Sequence, residues 1–410
     1  MRQPLEPVAS VPSLREMKAS ISRHHIANGV TAFLYAITGP LAILLTVATG
    51  GGLATVQISS WIFASYGLGG LLSVVASLVF RQPLALVWTI PGTLLLPLAF
   101  AHLSFSEILG AYWLTGLLII VLGGMGWVTR IMRCVPLPIV MGMVGGVFVP
   151  LGLKMVSAFD VLPWVAGVTI AVFIIVSRIA VLARYLPPVL AAIIAGVLVL
   201  AWTGHLHATE PIRFAMASPL MQWPAFSWQA TLELVVPLTI TVVAIQNAQG
   251  IAVLQASGLT PPTGRLTIIC GVGTCGFALF GSVPTCLAGP ANAILVSSGK
   301  RETAYLSGIL FGLLMAGFGV WSPATTRFAL ALPISFIGLI GGIALIPVLH
   351  GVFHTAFSGS FRIGAVVSFL VTLSDMELWH IGAAFWGLVI GFMTSWLLEP
   401  EEIRTLWEEN

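Results

Sequence analysis

Apolar runs of about 17–25 residues, each long enough to cross a bilayer as a helix, succeed one another through nearly the whole chain. That property alone excludes an ordinary soluble fold. Of 410 residues, 58% are hydrophobic and only 8% charged. Soluble domains carry roughly 25% charged residues, so lipid must be the solvent for most of this surface. A first set of runs lies near 28–48, 58–79, 84–101, 107–127, 135–157, 161–182 and 187–204. A polar stretch at 205–227 separates it from a second set near 228–254, 264–281, 284–299, 303–321, 328–349, 360–374 and 379–398. The expectation is an all-α polytopic membrane protein of fourteen transmembrane segments, seven in each half.

Positive charge supports the count independently. With residues 1–26 as a cytoplasmic tail and fourteen crossings after it, only Lys154, Arg213 and Arg327 of the 17 Lys and Arg residues fall outside. Dropping one span would destroy that positive-inside bias. Both termini are therefore expected in the cytoplasm, with 399–410 as the second tail. The N-terminal tail carries Arg2, Arg15, Lys18 and Arg23 but no apolar h-region, so it does not read as a secretory signal. Cys134, Cys270, Cys275 and Cys286 lack zinc-ligand spacing and read as free thiols that pack. His350 and His354 fall at an expected cytoplasmic turn, and neither a metal nor a cofactor is expected.

Seven is an odd number, so two such halves enter the membrane in opposite senses. Weak internal repeats about 200 residues apart should follow. Pro138-Ile139-Val140, then Gly145-Gly146 and Pro150, has its echo in Pro333-Ile334-Ser335, Gly341-Gly342 and Pro347. More tellingly, Pro83 followed by Trp88-Thr89-Ile90-Pro91-Gly92-Thr93 is matched by Pro284 followed by Ala288-Gly289-Pro290-Ala291-Asn292. Each half thus holds one Pro-interrupted apolar segment in the corresponding place. Proline lacks an amide hydrogen and suits the first turn of a helix. Each break leaves free N–H groups at the tip of a half-helix, a ready site for an anion. Broken backbone at membrane depth is tolerated only where protein buries it or where it lines a wet cavity.

The blocks FLYAITGPLAILL (33–45), RQPLALVWTIPGTLLLP (81–97) and FGSVPTCLAGPANAIL (280–295) resemble the benzoate/proton symporter (BenE-type) family. That family is similar in turn to nucleobase–ascorbate and sulfate-permease transporters, which share a seven-plus-seven inverted repeat. The resemblance implies a core domain of segments 1–4 (27–134) and 8–11 (228–322) and a gate domain of segments 5–7 (135–204) and 12–14 (323–398). It implies two short strands preceding the half-helices of segments 3 and 10, and a homodimer through the gate domain. It also implies proton-coupled import of a small aromatic carboxylate across a bacterial inner membrane. Uracil-type relatives carry acidic residues in segments 8 and 10. Here Gln246, Asn247, Gln249 and Asn292 stand in those stretches, which suits an anionic substrate, because a fixed carboxylate would repel it in a low-dielectric site.

The expected substrate site is drawn from both breaks and from segment 8. Tyr35, Trp88, Ile90 and Leu287 are candidate apolar walls for the ring. Thr89, Gly92, Gly289 and Ala291 flank the two prolines. Gln246, Asn247 and Gln249 are candidate donors to the carboxylate, their alternative role being interhelical hydrogen bonding. Asn292 and Thr93 either contact substrate or cap their own half-helices. Glu233 is the clearest acid inside an apolar run and the candidate for proton coupling, although it lies near the outer surface, within reach of water. Two other readings compete: an anion channel or exchanger of the same fold, and an intramembrane enzyme. The near absence of ionisable residues within the spans disfavours the enzyme, and nothing suggests nucleic-acid binding.

Overall fold

The computed structural model describes residues 12–128, 136–179, 183, 186–206, 215–378 and 381–408. Cys134 and the basic residues Arg2, Arg130, Arg133, Arg184 and Arg213 lie outside them. Among the described residues, seven helices are both long and apolar enough to cross a membrane. The chain is a multi-pass membrane protein.

In chain order, a short helix at Leu14–Ser20 precedes α1 (Arg23–Gly50) and α2 (Thr55–Phe80). Strand β1 (Leu86–Trp88) then leads into the short α3 (Ile90–Leu94). Next come α4 (Phe105–Met125), α5 (Leu137–Val161), α6 (Pro163–Arg178) and α7 (Pro188–Trp202). The second half runs α8 (Trp228–Ala256), α9 (Thr263–Ala278), strand β2 (Thr285–Leu287), α10 (Gly289–Leu295) and α11 (Tyr305–Val320). It continues through α12 (Ser322–Leu330), α13 (Ile334–Phe357), α14 (Arg362–Leu373), α15 (Ala383–Leu398) and α16 (Pro400–Glu408).

Packing sorts these elements into two neighbourhoods. Helix α2 packs on α11 and α4 on α9, while α1 runs against α10, α11 and α13. Helix α5 packs along α13 and α14, α14 along α15, and α6 along α7. Several crossings are close enough to demand glycine. A Cβ on Gly70 would meet the Gly312 carbonyl at 2.6 Å, and one on Gly116 would meet that of Gly271 at 2.9 Å. Such small-residue contacts are how membrane helices associate when lipid supplies no hydrophobic drive.

Several boundaries differ from the sequence reading. Pro333 separates α12 from α13, so the apolar run expected at 328–349 begins at Ile334 and continues to Phe357. His350 and His354 consequently lie within α13 rather than in a turn, because helical phase continues past the end of the apolar run. Residues 400–408 form a helix turned by 104° from α15. At that corner Glu399 accepts hydrogen bonds from the N–H groups of Ile363 (2.8 Å) and Gly364 (3.1 Å), capping α14. Cys270, Cys275 and Cys286 are free thiols.

Candidate functional site

The two interrupted segments meet in an antiparallel pair, with Leu86 opposite Leu287, Val87 opposite Cys286 and Trp88 opposite Thr285. Bonds just beyond the strands extend the ladder. Thr89 N–H donates to the Pro284 carbonyl (2.9 Å) and Ala288 N–H to that of Ala85 (3.0 Å). A sheet of two strands has two outer edges, and buried backbone N–H groups require acceptors. Ser73 and Ser77 on α2 accept from Leu86 N–H (2.9 Å) and Leu84 N–H (3.1 Å). Thr274 on α9 and Asn247 on α8 accept from Thr285 N–H (2.9 Å) and Leu287 N–H (2.8 Å). Asn292 of α10 reaches back to accept from Ala85 N–H (2.9 Å).

These bonds give three expected site residues structural partners, while the side-chain N–H groups of Asn247 and Asn292 find no acceptor among the described residues. Asn247 and Asn292 are fully buried, and each commits its side-chain oxygen to a strand amide. Asn292 therefore caps the neighbouring segment instead of its own half-helix. Thr93 is not the cap of α3 either: its hydroxyl donates to the Thr89 carbonyl (2.8 Å), and Thr89 Oγ1 accepts from Gly92 N–H (3.2 Å). Helix α10 has Ala288 at the equivalent position and no side-chain cap. Among the described residues, the N–H groups of Gly289 and Ala291 find no protein acceptor.

Both half-helix tips face one cavity of about 660 Å³. Ile90, Pro91 and Pro290 line it from the breaks, Gln246 and Gln249 from α8, and Tyr35 from α1. The facing wall comes from α5 (Met141, Val144, Phe148) and α13 (Pro347, Val348, Val352), apolar apart from Thr355. Gln249 lies over the tip of α10, where a Cβ on Gly289 would come within 2.5 Å of its side chain. In α8 a π-helical turn (Thr241–Asn247) carries Gln246 and Asn247, a distortion frequent at functional positions. A second cavity, of about 770 Å³, adjoins the first, sharing Tyr35, Ile90, Pro347 and Val348.

Of the expected ring contacts, Tyr35 and Ile90 reach the cavity, while Trp88 and Leu287 do not line it. Trp88 is buried with its ring 4.4 Å from that of Tyr66. Leu287 is buried against Gly250. Side chains alternate along a strand, and these two point into packed protein. Thr89, Gly92, Thr93, Gly289, Ala291 and Asn292 form the supporting tips behind the cavity surface. The α5 and α13 wall is not legible in the sequence. Its only signal there is the Pro150 and Pro347 echo, because an apolar residue facing a cavity is indistinguishable in sequence from one facing lipid.

Glu233 is not in reach of water as expected but buried, 3% exposed, with its Oε2 2.8 Å from His102 Nε2. The backbone N–H of Gly382, just before α15, donates to the same carboxylate. Glu233 thus ties α8 to the end of the first interrupted segment and to the α15 entrance.

Residues 19–397 match the family described as Benzoate membrane transport protein. The chain is 30% identical over 376 residues to "Inner membrane protein YdcO" of Escherichia coli, covering 91% of this chain and 95% of that one. It is 26% identical over 389 residues to the "Benzoate membrane transport protein" of Acinetobacter baylyi, covering 94% and 98%. In fold it resembles the transmembrane domain of the cyanobacterial bicarbonate transporter BicA, with TM-score 0.63, 16% identity and coverage of 90% and 97%. It also resembles the murine solute carrier 26 family member A9 anion transporter in the inward-facing state, with TM-score 0.61, 13% identity and coverage of 96% and 71%. A family match across residues 19–397 and a relative 30% identical over 91% of the chain lead to one conclusion: the chain belongs to the benzoate membrane transport family.

Proposed function

We propose that the protein is a secondary transporter that imports benzoate or a similar aromatic monocarboxylate together with a proton. The anion is held at the half-helix tips of α3 and α10. The observation that carries this reading is the cavity where both breaks meet: its walls are apolar, its polar side chains (Tyr35, Gln246, Gln249, Thr355) carry no acid, and both Pro91 and Pro290 line it. A charge costs a few kcal/mol or more at the bilayer centre. Two helix ends at ~0.3–2 kcal/mol each and charge-assisted bonds at roughly 1.5–3 kcal/mol each offset that for a monoanion. The free N–H groups of Gly289 and Ala291, uncovered when Gln249 swings aside, are the donors on the α10 side.

The same reading takes the chain as fourteen spans in an inverted repeat, with core segments 1–4 and 8–11 and gate segments 5–7 and 12–14. The offset of about 200 residues supports it: β1 with β2, Pro91 with Pro290, and the Gly70–Gly312 crossing with that of Gly271–Gly116. The larger cavity reaches Arg23 at the start of α1, and the N-terminal side is taken as the cytoplasm of a bacterial inner membrane. Glu233, with His102, is the proton-responsive group, and a homodimer through the gate segments is the proposed assembly.

The test is uptake of labelled benzoate into proteoliposomes. Saturable uptake that rises when an inward proton gradient is imposed is expected. Uptake indifferent to the gradient removes the symport; conductance without saturation or counterflow makes the protein a channel.

A further inference from the structure

The second cavity has no role in this scheme, although it is the larger, at about 770 Å³. It runs from Tyr35 and Ile90, where it joins the substrate cavity, out to Arg23 at the start of α1. Its walls are mostly apolar (Val30 and Leu34 of α1, Phe173 of α6, Pro188 of α7 and Ile294 of α10), with the hydroxyls of Thr31, Thr38 and Ser177 also on its described lining. Among its described lining residues Arg23 is the only charged side chain, and no carboxylate lies within ion-pair distance of it among the described residues. The substrate cavity itself has no cation on its described lining. Among the described residues, the two adjoining spaces therefore have one fixed positive charge between them, at the outer end of a mostly apolar corridor.

We infer that this corridor is a second binding site for the aromatic carboxylate, with the ring held between α1, α6 and α7 and the carboxylate on the Arg23 guanidinium. Two features fix the occupant as an aromatic acid: charge complementarity at the mouth, and continuity with the substrate cavity through Tyr35, Ile90, Pro347 and Val348. A guanidinium binds a carboxylate in a planar two-bond fork, and an apolar slot excludes small hydrated anions that have no ring to bury. The site is the weaker of the two, since Arg23 is exposed and an exposed ion pair is screened by water and salt. It serves as the stage between the central site and the cytoplasm, so internal substrate acts on it first.

The inference rests on the function proposed above, and equilibrium dialysis of labelled benzoate against the full chain in phosphatidylcholine nanodiscs separates the two. Wild type is expected to bind two benzoates, the weaker one losing affinity as salt rises. Arg23→Gln weakens that second site by up to about fivefold, Arg23→Lys retains most of it, and benzamide, which has the ring without the charge, does not fill it. In proteoliposomes Arg23→Gln also raises the internal benzoate concentration that half-saturates efflux. A second site that ignores Arg23→Gln, or a single site in wild type, overturns this inference and leaves the transport reading standing. No benzoate binding at all overturns both. Permanent loss of the second site when the nanodisc lipid is changed to phosphatidylglycerol makes the occupant a lipid headgroup and also overturns it.

Discussion

The two interrupted segments share a backbone plan but satisfy it with different side chains. In the first, Thr89 caps α3 by accepting from Gly92 N–H. In the second, Ala288 occupies that place and the Ala291 N–H stays open. The opening residues differ as well. Segment 3 begins with Ala85, whose N–H needs an acceptor and finds it in Asn292 (2.9 Å). Segment 10 begins at the matching place with Pro284, which has no N–H to satisfy. Thr93, the counterpart of Asn292, is accordingly free to bond within its own helix. The tips thus differ by one donor, Gly92 N–H being covered by a side chain and Ala291 N–H left open, and in a low-dielectric cavity an open N–H is a binding group. The lesson is that an inverted repeat supplies the scaffold twice but need not supply the donors twice.

The sharpest way to break this comparison is Asn292→Leu, which orphans the buried Ala85 N–H. Such a loss costs about 1–3 kcal/mol, read as a lower melting temperature in detergent, and should abolish benzoate uptake by loosening the strand pair. Ala288→Thr tests the open tip directly. It gives α10 the cap that α3 already has, and should weaken benzoate binding by about tenfold, one charge-assisted bond's worth, without loss of thermal stability. Unchanged affinity would mean that the substrate does not use the Ala291 N–H. Glu233→Gln, and separately His102→Ala, should flatten the dependence of uptake on external pH while benzoate binding at fixed pH persists; a retained pH profile would move proton coupling elsewhere. The smallest effect is expected of Thr89→Ala, which removes the α3 cap at a cost of about 1 kcal/mol and leaves benzoate affinity nearly unchanged.

The contrast between the ends of the Glu233 interaction is instructive in another way. In sequence, Glu233 is an acid close to a segment end, and such acids ordinarily meet water. His102 and Gly382 are far from it along the chain, and only the approach of the first interrupted segment and α15 encloses it. The Ser73, Ser77 and Thr274 hydroxyls that finish the strand edges were equally silent in sequence. A hydroxyl in an apolar helix usually bonds back to its own helix, as Ser73 and Thr274 do to the Gly69 and Cys270 carbonyls, and nothing local shows that these two also accept from a strand.

By itself the sequence determined the membrane class, the two breaks at Pro91 and Pro290, and the family, because each depends on local chemistry: run length against bilayer thickness, a residue without an amide hydrogen, a contiguous motif. Tertiary structure alone decided which residues face the cavity. It turned Trp88 and Leu287 into packed protein, committed Asn247 and Asn292 to backbone, and brought α5 and α13 in as the opposite wall. The physical reason is that hydrophobicity records whether a side chain avoids water, whereas a binding surface depends on which distant helix stands across from it.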